Sequence, residues 1–379
     1  MIDAGIYIHL PFCNVKCMYC DFYSVTDAND RIDQFVKSLL DEIRLFKAQM
    51  YRYSWNFDTI FFGGGTPSLI SPMHLEKILN ELDKCYSISN VNEITLEANP
   101  GEASKEFLEG YKSLGVNRLS IGFQSLNDNL LKFLGRLHSS SDALATFDIA
   151  RKIGYGNINV DMIYDIPGQS IDRWLKDLST IIDLRPEHIC AYSLTVERGT
   201  KLYNLVQDNT VVMPDEETDI SMFSKCMQLL DNGGYDMYEV SNYSIPNNMC
   251  MHNLHYWNND PYLAFGPSAH GHDLKSRWWN HRSLESYVSE IKKSRLPISK
   301  REVLTDYNKF NEIIFNGLRL REGINIDRLV GAIDIDIDKF IKNSISRWPQ
   351  LTLDNNFLKL NQSGIFIADE IASDLMYTK

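Results

Sequence analysis

Six short apolar segments alternate with amphipathic helical segments through the first two-thirds of the chain. The six segments are Gly5–Leu10, Thr59–Phe62, Glu93–Leu96, Arg118–Phe123, Ile158–Tyr164 and His188–Thr195. Each is rich in β-branched or aromatic residues and ends near Gly, Pro, Asn or a polar cluster, as buried parallel strands do. Consecutive strand–helix units predict an α/β fold with a parallel sheet and right-handed crossovers. Six units favour an open, partial (β/α)6 barrel, similar to a TIM barrel, over a closed eight-fold one.

The segments between these strands repeat apolar residues at helical spacing. They predict helices at Ile32–Phe46, Leu75–Cys85, Lys105–Leu114, Asp142–Ile153, Arg173–Leu184 and Asp215–Asp231. Ser71 and Ser104 are of the residue type preferred as helix N-caps, and Pro72 suits a first helical position. We therefore assign residues 1–234 to the barrel core.

The last part of the chain predicts a small helical, winged-helix-like domain over residues 300–379. Its expected elements are helices at Tyr307–Leu320, Ile326–Ile333, Ile337–Ser346 and Ile365–Leu375, and a hairpin at Leu351–Leu360 that turns at Asp354-Asn355-Asn356. No basic stripe is present there to support DNA contact, so we expect a lid or packing domain. Residues 235–299, rich in aromatic residues and histidine, form an extension between the barrel and this domain.

Polar residues stand where the predicted strands end. They are Gly64, Gly65, Thr66, Glu97, Gln124, Asp161 and Thr195, with Arg136 a little further on. Glycines let the backbone approach a ligand closely, a carboxylate can bind ribose hydroxyls, and an arginine can pair with a carboxylate. Each residue taken singly also fits a tight turn or a solvated loop. Because barrel enzymes place their chemistry at the C-terminal ends of the strands, the coincidence predicts one shared site.

Three of the seven cysteines, Cys13, Cys17 and Cys20, follow the first predicted strand directly. An odd count with one tight cluster indicates a reducing compartment and a metal site instead of a disulfide framework. Three thiolates on a short loop can hold three corners of a 4Fe-4S cluster, and the missing fourth ligand leaves one iron open to a small molecule. The alternative is a zinc site with His9 as the fourth ligand, although this spacing is uncommon for zinc.

Composition restricts the class of protein further. The 379 residues carry a net charge of −12, which argues against a nucleic-acid partner held by broad phosphate neutralisation. The chain has no secretory signal and no apolar stretch of ~20 residues. We therefore expect a cytoplasmic protein without an integral membrane segment. The sequence leaves open both peripheral membrane contact and a homodimer.

The cysteine spacing, the predicted barrel and the Gly-Gly-Gly-Thr-Pro segment at 63–67 together resemble the radical S-adenosylmethionine (SAM) superfamily. The resemblance implies a 4Fe-4S cluster whose open iron binds the methionine part of SAM, and cleavage of SAM to a 5′-deoxyadenosyl radical, which is chemistry supplied by the cofactor. It also implies that Tyr19 lies against the adenine and that residues 63–66 contact the methionine amino group. The other positions that correspond to SAM-binding residues are Tyr7, Glu97, Gln124, Arg136, Asp161 and Thr195.

Over nearly its whole length the chain is similar to the oxygen-independent coproporphyrinogen III oxidase branch of this superfamily. That branch includes true dehydrogenases and the HemW group of heme chaperones. The dehydrogenases carry an additional cysteine where this chain has Phe22, and their long N-terminal extension is not present ahead of Cys13. Both departures favour the HemW group.

The segment His252-Asn253-Leu254-His255-Tyr256-Trp257 resembles the HNxxYW motif of the HemW group. The resemblance implies a heme site formed by His252, Asn253, Tyr256 and Trp257. Imidazole is a natural axial ligand of heme iron, and aromatic rings can stack on a porphyrin. The competing interpretation is a loop histidine beside core aromatics. Segments 238–243 and 266–271 also resemble the family, but they, Cys250 and His255 receive no role from the sequence.

The sequence therefore predicts a radical SAM heme chaperone. It would bind a 4Fe-4S cluster, SAM and heme and would pass the heme to an acceptor protein, with no catalytic residue assigned. Two alternatives stay open. One is oxygen-independent oxidative decarboxylation of coproporphyrinogen III, and the other is a zinc-stabilised scaffold without cofactor chemistry.

Overall fold

The computed structural model describes residues 1–26 and 28–377. The strands are β1 Ile2–Leu10, β2 Trp55–Gly64, β3 Glu93–Ala98, β4 Arg118–Gln124, β5 Ile158–Tyr164, β6 His188–Ser193, β7 Asp236–Glu239, β8 Asn242–Ser244, β9 Tyr262–Phe265, β10 His270–His272, β11 Ser276–Asn280, β12 Ile298–Val303, β13 Ile324–Asn325, β14 Leu351–Asp354 and β15 Phe357–Leu360. The α-helices are α1 Ile32–Gln49, α2 Pro72–Tyr86, α3 Lys105–Ser113, α4 Asp128–Leu134, α5 Ser140–Ile153, α6 Ile171–Leu184, α7 Lys201–Gln207, α8 Glu216–Asn232, α9 Met251–Trp257, α10 Leu284–Lys292, α11 Asp306–Arg319, α12 Ile337–Arg347, α13 Gln362–Ile365 and α14 Ala368–Leu375.

The central sheet confirms the predicted α/β fold and partial barrel. Strands β1 to β6 pair in parallel and in chain order, each with the next. The sheet stays open, because β12 and β7 form its two edges. All six predicted strands are present, and β2 is longer than predicted at both ends because Trp55 to Phe57 and Gly63 and Gly64 also pair with β1.

The helices cover this sheet with the faces that the apolar spacing indicates. In α1, the residues Phe35, Leu39, Ile43 and Phe46 are all buried. The hydroxyl of Ser71 accepts a hydrogen bond from the backbone N–H of His74, and that of Ser104 accepts one from Phe107. Both predicted N-caps are therefore confirmed. No helix in the described part of the chain is long and apolar enough to cross a membrane.

Residues 235–299 extend the barrel sheet on both sides. Strands β7 and β8 form a hairpin that pairs antiparallel with β6. Strand β9 pairs in parallel with β1, and β10, β11 and β12 follow it antiparallel. The predicted boundary at residue 300 falls inside β12, which belongs to this sheet.

The C-terminal residues form a second core of their own. It contains α11, α12, α14 and the three-stranded sheet β13–β15–β14, in which the predicted hairpin is confirmed. Asn355 and Asn356 have φ angles of 47° and 68°, as the two central residues of a type I′ turn require. This arrangement of helices and a hairpin is compatible with the predicted winged-helix-like domain.

Two of the predicted C-terminal helices are wrong in extent. Ile326–Ile333 contains only a single 3-10 turn at Ile326–Arg328, because Gly331 takes a left-handed conformation with φ 78°. Ile326, Leu329 and Ile333 are nevertheless buried, so their spacing reflects a shared core and not a helix. The last helix divides into α13 and α14, since Ile365 and Phe366 pack against the barrel core while Ile371 and Leu375 pack in the C-terminal core.

Helix α9 is fixed to the barrel by a buried ion pair of His255. Its Nε2 lies 2.8 Å from Asp58 Oδ1 and its Nδ1 lies 3.0 Å from Asp260 Oδ2. Burial by itself lowers the pKa of His255, but the hydrogen bonds and charges of the two aspartates outweigh it and raise the pKa to about 9. His255 is therefore an imidazolium at neutral pH and holds α9 against β2.

We expect His255→Gln to destabilise the protein in a pH-dependent way. A folded-state pKa above the unfolded value of about 6.5 stabilises the fold fully below that value, and the contribution disappears as the pH rises through about 9. The free energy of unfolding should fall by about 2–3 kcal/mol at pH ~6 and by much less at pH ~10, measured by urea denaturation. His270→Gln, at an exposed histidine, is the control. An equal loss at both pH values would contradict the ion pair.

Candidate cofactor site

A cavity of ≈ 490 Å³ lies at the carboxyl ends of the parallel strands. Polar side chains and glycines from the ends of β2 to β6 meet there, together with the cysteine loop that follows β1. The sequence-predicted residues that line it are Cys13, Cys17, Tyr19, Cys20, Gly64, Gly65, Thr66, Glu97, Gln124, Arg136, Asp161 and Thr195. The structure thus brings together the predicted cluster ligands and nearly all of the predicted SAM contacts.

The three cysteines lie on the loop that follows β1, and none of them is in a disulfide. Backbone hydrogen bonds fix the loop at both ends, from Cys13 N to Val25 O (3.0 Å) and from Met18 N to Leu134 O (3.2 Å). Burial raises the pKa of Cys20 to about 11, so this thiol is protonated in the absence of a metal. A metal that binds here must displace such protons.

The donor set fits a cluster that offers a separate iron to each thiolate. All three thiols are half-buried and border the same cavity, beside open space for a small ligand. Among residues 1–26 and 28–377, no three side chains of Cys, His, Asp or Glu converge closely enough to hold a single metal ion. His9 does not join the thiols, because its ring nitrogens contact Tyr23 O at 2.9 Å and the Tyr7 hydroxyl at 3.2 Å.

The glycine-rich end of β2 lies directly against the cysteine loop. Gly65 N donates to Leu10 O (2.8 Å) and Thr66 N donates to Phe12 O (2.7 Å). A Cβ atom on Gly65 would lie 2.5 Å from Phe12 O, which is a backbone atom that cannot yield. The Thr66 hydroxyl lies 3.6 Å from the Cys13 sulfur. Glycine at 65 is therefore required for the loop and the strand end to share one cavity wall.

Two neighbouring carboxylates continue the cavity wall beside the glycine-rich segment. Glu97 accepts a hydrogen bond from Gly64 N (3.2 Å), and Asp161 accepts bonds from Asn159 Nδ2 (2.6 Å) and Ser120 Oγ (3.2 Å). Burial, and then the charge of Asp161, raise the pKa of Glu97 to about 8. At neutral pH the pair therefore offers both a donor and acceptors, which suits a ligand with hydroxyl or ammonium groups.

Arg136 connects the cysteine loop to this polar wall. Its Nη1 lies 3.5 Å from the Cys17 sulfur, and its Nη2 donates to Asn99 Oδ1 (2.6 Å) and Gly122 O (3.1 Å). A half-buried guanidinium at this place supplies positive charge beside the thiolates and can meet a carboxylate of a ligand.

The remaining predicted cavity residues differ in their settings. Gln124 ends β4 with a positive φ of 66°, an unfavourable backbone conformation of the kind that clusters at functional sites. Tyr19 is half-buried beside Leu134 and Leu194, and burial raises the pKa of its phenol. Thr195 is exposed at the rim.

Several cavity residues were missed by the sequence prediction. Asn99 donates to Thr66 Oγ1 (2.9 Å) and to Glu102 Oε2 (2.7 Å), and Ser120 and Tyr192 also line the cavity. Strand alternation could have found Ser120 and Tyr192, since each is two residues from another inward-facing position of its strand.

Tyr7 does not border the cavity. It lies below Glu97 inside the barrel, with its hydroxyl on His9, and burial and the Glu97 charge raise its pKa. A Cβ atom on Gly63 would lie 3.1 Å from the Tyr7 ring and 3.2 Å from Glu97 Oε2, which places the two side chains together.

The HNxxYW segment lies at the opposite end of the barrel from the cavity. It forms α9, which contacts the amino-terminal halves of β1 and β2 and the first residue of β3. His252 is 1% exposed, and its ring nitrogens hydrogen bond to Thr59 Oγ1 (2.9 Å) and to the Tyr256 hydroxyl (2.9 Å). Heme ligation by His252 stays a prediction, and it requires the imidazole to give up one of these bonds.

A second cavity, of ≈ 520 Å³, begins beside this segment. It lies between α9, the strands β9 to β11 and the C-terminal helix α11. Tyr256, Tyr262, His272, Arg277, Phe315 and Met376 form part of its wall. Trp257 and Asn253 are outside this wall; the guanidinium of Arg319 lies 5.1 Å from the centre of the Trp257 ring, in a cation–π contact.

Comparison with known proteins places these features in a family. Residues 7–181 match the family described as the Radical SAM superfamily. The chain is 32% identical over 343 residues to the heme chaperone HemW of Lactococcus lactis, which covers 90% of this chain and 88% of that protein. It is 34% identical over 333 residues to the heme chaperone HemW of Bacillus subtilis, with 88% and 87% covered.

The structural comparison agrees with the sequence comparison. Coproporphyrinogen III oxidase (HemN) from Escherichia coli, a radical SAM enzyme, has the same fold with a TM-score of 0.84 at 17% identity, over 99% of this chain and 90% of that one. By its sequence, this chain belongs to the radical SAM superfamily and, within it, to the HemW family.

Proposed function

We propose that the protein is a radical SAM heme chaperone. It binds a 4Fe-4S cluster through Cys13, Cys17 and Cys20, binds SAM in the adjoining cavity, and transfers heme to an acceptor protein. The observation that carries the proposal is the convergence of the three thiols and the polar strand ends on one cavity, in a chain whose relatives are named heme chaperones.

The cavity residues divide between the two cofactors by their chemistry. The three thiols provide cluster ligands, and the absence of a fourth cysteine in the loop leaves one iron for SAM. Glu97 and Asp161 suit ribose hydroxyls, and Arg136 suits the methionine carboxylate. When bound, the cluster supplies the electron that cleaves SAM. The protein's own contribution is to orient SAM and to exclude water from this cavity.

The cluster assignment predicts the metal content of the protein. Anaerobic reconstitution should give about four iron and four sulfide per chain, with the visible absorbance of a 4Fe-4S cluster. Cys17→Ser should remove most of the iron and of this absorbance, because two thiolates do not hold the cluster. Cys85→Ser, at a cysteine outside the cavity, should leave both unchanged. Zinc in place of iron would establish the scaffold alternative and end the proposal.

The SAM assignment predicts a strong effect at Gly65. Gly65→Ala should weaken SAM binding to the cluster-loaded protein about tenfold or more, because the added methyl group displaces the cavity wall from the cysteine loop. The measurement is isothermal titration with SAM. Gly156→Ala, where an added Cβ meets nothing within 4 Å, is the matched control and should bind SAM like the wild type. Equal affinities of the two variants would show that the wall does not contact SAM.

Heme is placed by the proposal beside the HNxxYW segment, in the second cavity. The cavity offers the aromatic ring of Tyr256, further aromatic rings at Tyr262 and Phe315, and an imidazole at His272. Aromatic faces stack on a porphyrin and imidazole ligates its iron. The relatives' names support heme as the ligand.

We expect one heme per chain and a loss of affinity of about tenfold or more in His252→Ala, measured by heme titration followed by absorbance. The cluster spectrum should stay intact, because α9 lies at the other end of the barrel. His270→Ala, at an exposed histidine on Trp279, should titrate like the wild type. An unchanged titration of His252→Ala would remove His252 from the heme site.

The rival activity is tested on the same preparation. Reconstituted protein with SAM and a reductant is incubated with coproporphyrinogen III under anaerobic conditions. The proposal expects no protoporphyrinogen, in agreement with Phe22 standing where the dehydrogenases carry a cysteine. Formation of protoporphyrinogen would establish an enzyme and overturn the chaperone-only function.

A further inference from the structure

A series of four hydrogen-bonded side chains, three of them buried, runs from the cofactor cavity to the β7–β8 hairpin. Asn159 Nδ2 donates to Asp161 Oδ1 at 2.6 Å, His188 Nδ1 lies 2.6 Å from Asn159 Oδ1, and His188 Nε2 lies 2.8 Å from the Tyr238 hydroxyl. Only Asp161 reaches the cavity wall. The other three belong to β5, β6 and β7, inside or beside the barrel.

The hydrogen bonds between these four side chains all have the same direction. Asn159 Nδ2 donates to both Asp161 and Ser120 Oγ (2.7 Å), so the amide oxygen of Asn159 must be an acceptor. His188 Nδ1 therefore carries the proton, and Nε2 accepts from the Tyr238 hydroxyl. Burial lowers the pKa of His188 well below its usual value, which keeps the ring neutral and makes this single tautomer possible. Every donor thus points towards Asp161.

The three residues behind Asp161 are almost completely buried. Asn159 is 1% exposed, His188 0% and Tyr238 7%. If one donor is removed, no solvent molecule can take its place, and its buried acceptor stays unpaired. The side chain that carries this acceptor then loses the contact that fixes its orientation.

We propose that Asn159, His188 and Tyr238 are positioning residues that hold Asp161 in its cofactor-binding orientation. Asn159 Nδ2 on Oδ1 (2.6 Å), Ser120 Oγ on Oδ2 (3.2 Å) and the Cys190 thiol hold the carboxylate from within the barrel, while Asp161 itself lines the cavity. His188 and Tyr238 act on Asp161 through Asn159. The inference rests on the proposed function of this cavity as the SAM site. It gives the β7–β8 hairpin, which is outside the six barrel units, a role in cofactor binding.

The first test removes the hydroxyl of Tyr238, the member of the series that lies farthest from the cavity. Tyr238→Phe should raise the Kd for SAM of the cluster-loaded protein about three- to tenfold, because His188 Nε2 is then a buried acceptor without a donor and the ring loses the contact that fixes it against Asn159. Tyr243→Phe, on the neighbouring strand β8, removes an equally buried hydroxyl that lies beside Cys226. It should leave the Kd unchanged. Nitrogen NMR of histidine-labelled protein should show the Nδ1–H tautomer of His188 in both proteins, with the Nε2 signal shifted in Tyr238→Phe by the loss of its hydrogen bond.

The second test distinguishes the effect of hydrogen-bond direction from that of side-chain packing. His188→Gln keeps a donor for Asn159 and an acceptor for Tyr238 and should keep most of the SAM affinity, whereas His188→Leu should lose it about tenfold or more. Asn159→Asp has the same shape but turns an acceptor towards Asp161, and should give the largest loss. Thermal unfolding of each variant identifies any that fail to fold.

Two outcomes are decisive and distinct. If the wild type binds SAM and Tyr238→Phe binds it as tightly as Tyr243→Phe does, the positioning role is wrong. If the reconstituted wild type does not bind SAM at all, the proposed function itself fails.

Discussion

The contact between the ends of β1 and β2 is the constraint on which the cofactor site depends. The two strands pair in parallel to their last residues, and the pairing continues beyond them through Gly65 N to Leu10 O and Thr66 N to Phe12 O. Parallel strands bring their carboxyl ends to the same edge, so this contact sets the cysteine loop against the first cavity wall. A side chain at Gly65 would collide with the backbone of that loop.

The barrel interior is polar from the cavity to the opposite end, which is unusual for a small barrel core filled by side chains. Glu97 and Asp161 lie at the cavity, with Arg118 buried below them and Glu93 at the amino end of β3, where its carboxylate accepts bonds from Met251 N (3.1 Å) and His252 N (3.0 Å). Such groups are tolerated in an interior only when each has a partner. The added segment 235–299 provides the partners of Glu93, through the backbone N–H groups of Met251 and His252.

The HNxxYW segment shows how one motif can carry a structural and a functional interpretation. Its first histidine packs at the end of the barrel, and a Cβ atom on Gly5 would lie 2.8 Å from the His252 ring. Its tyrosine ring reaches the second cavity while its hydroxyl holds His252. The motif therefore joins the barrel to the C-terminal domain, and heme bound in the second cavity would contact the same residues that make this joint.

The sequence by itself determined the order of the parallel strands, the cysteine loop and most of the cavity residues. These follow from local patterns, because alternation with helices fixes a parallel sheet and strand ends must meet at one edge. Only the tertiary structure decided which polar residues lie behind the cavity. Asn159, His188 and Tyr238 are far apart along the chain, and their hydrogen bonds exist only because β5, β6 and the hairpin β7–β8 lie side by side. The same holds for His252 and His255, which hydrogen bond to Thr59 and Asp58 of β2. These partners are far away along the chain, so no spacing in the sequence could predict the hydrogen bonds of the two histidines.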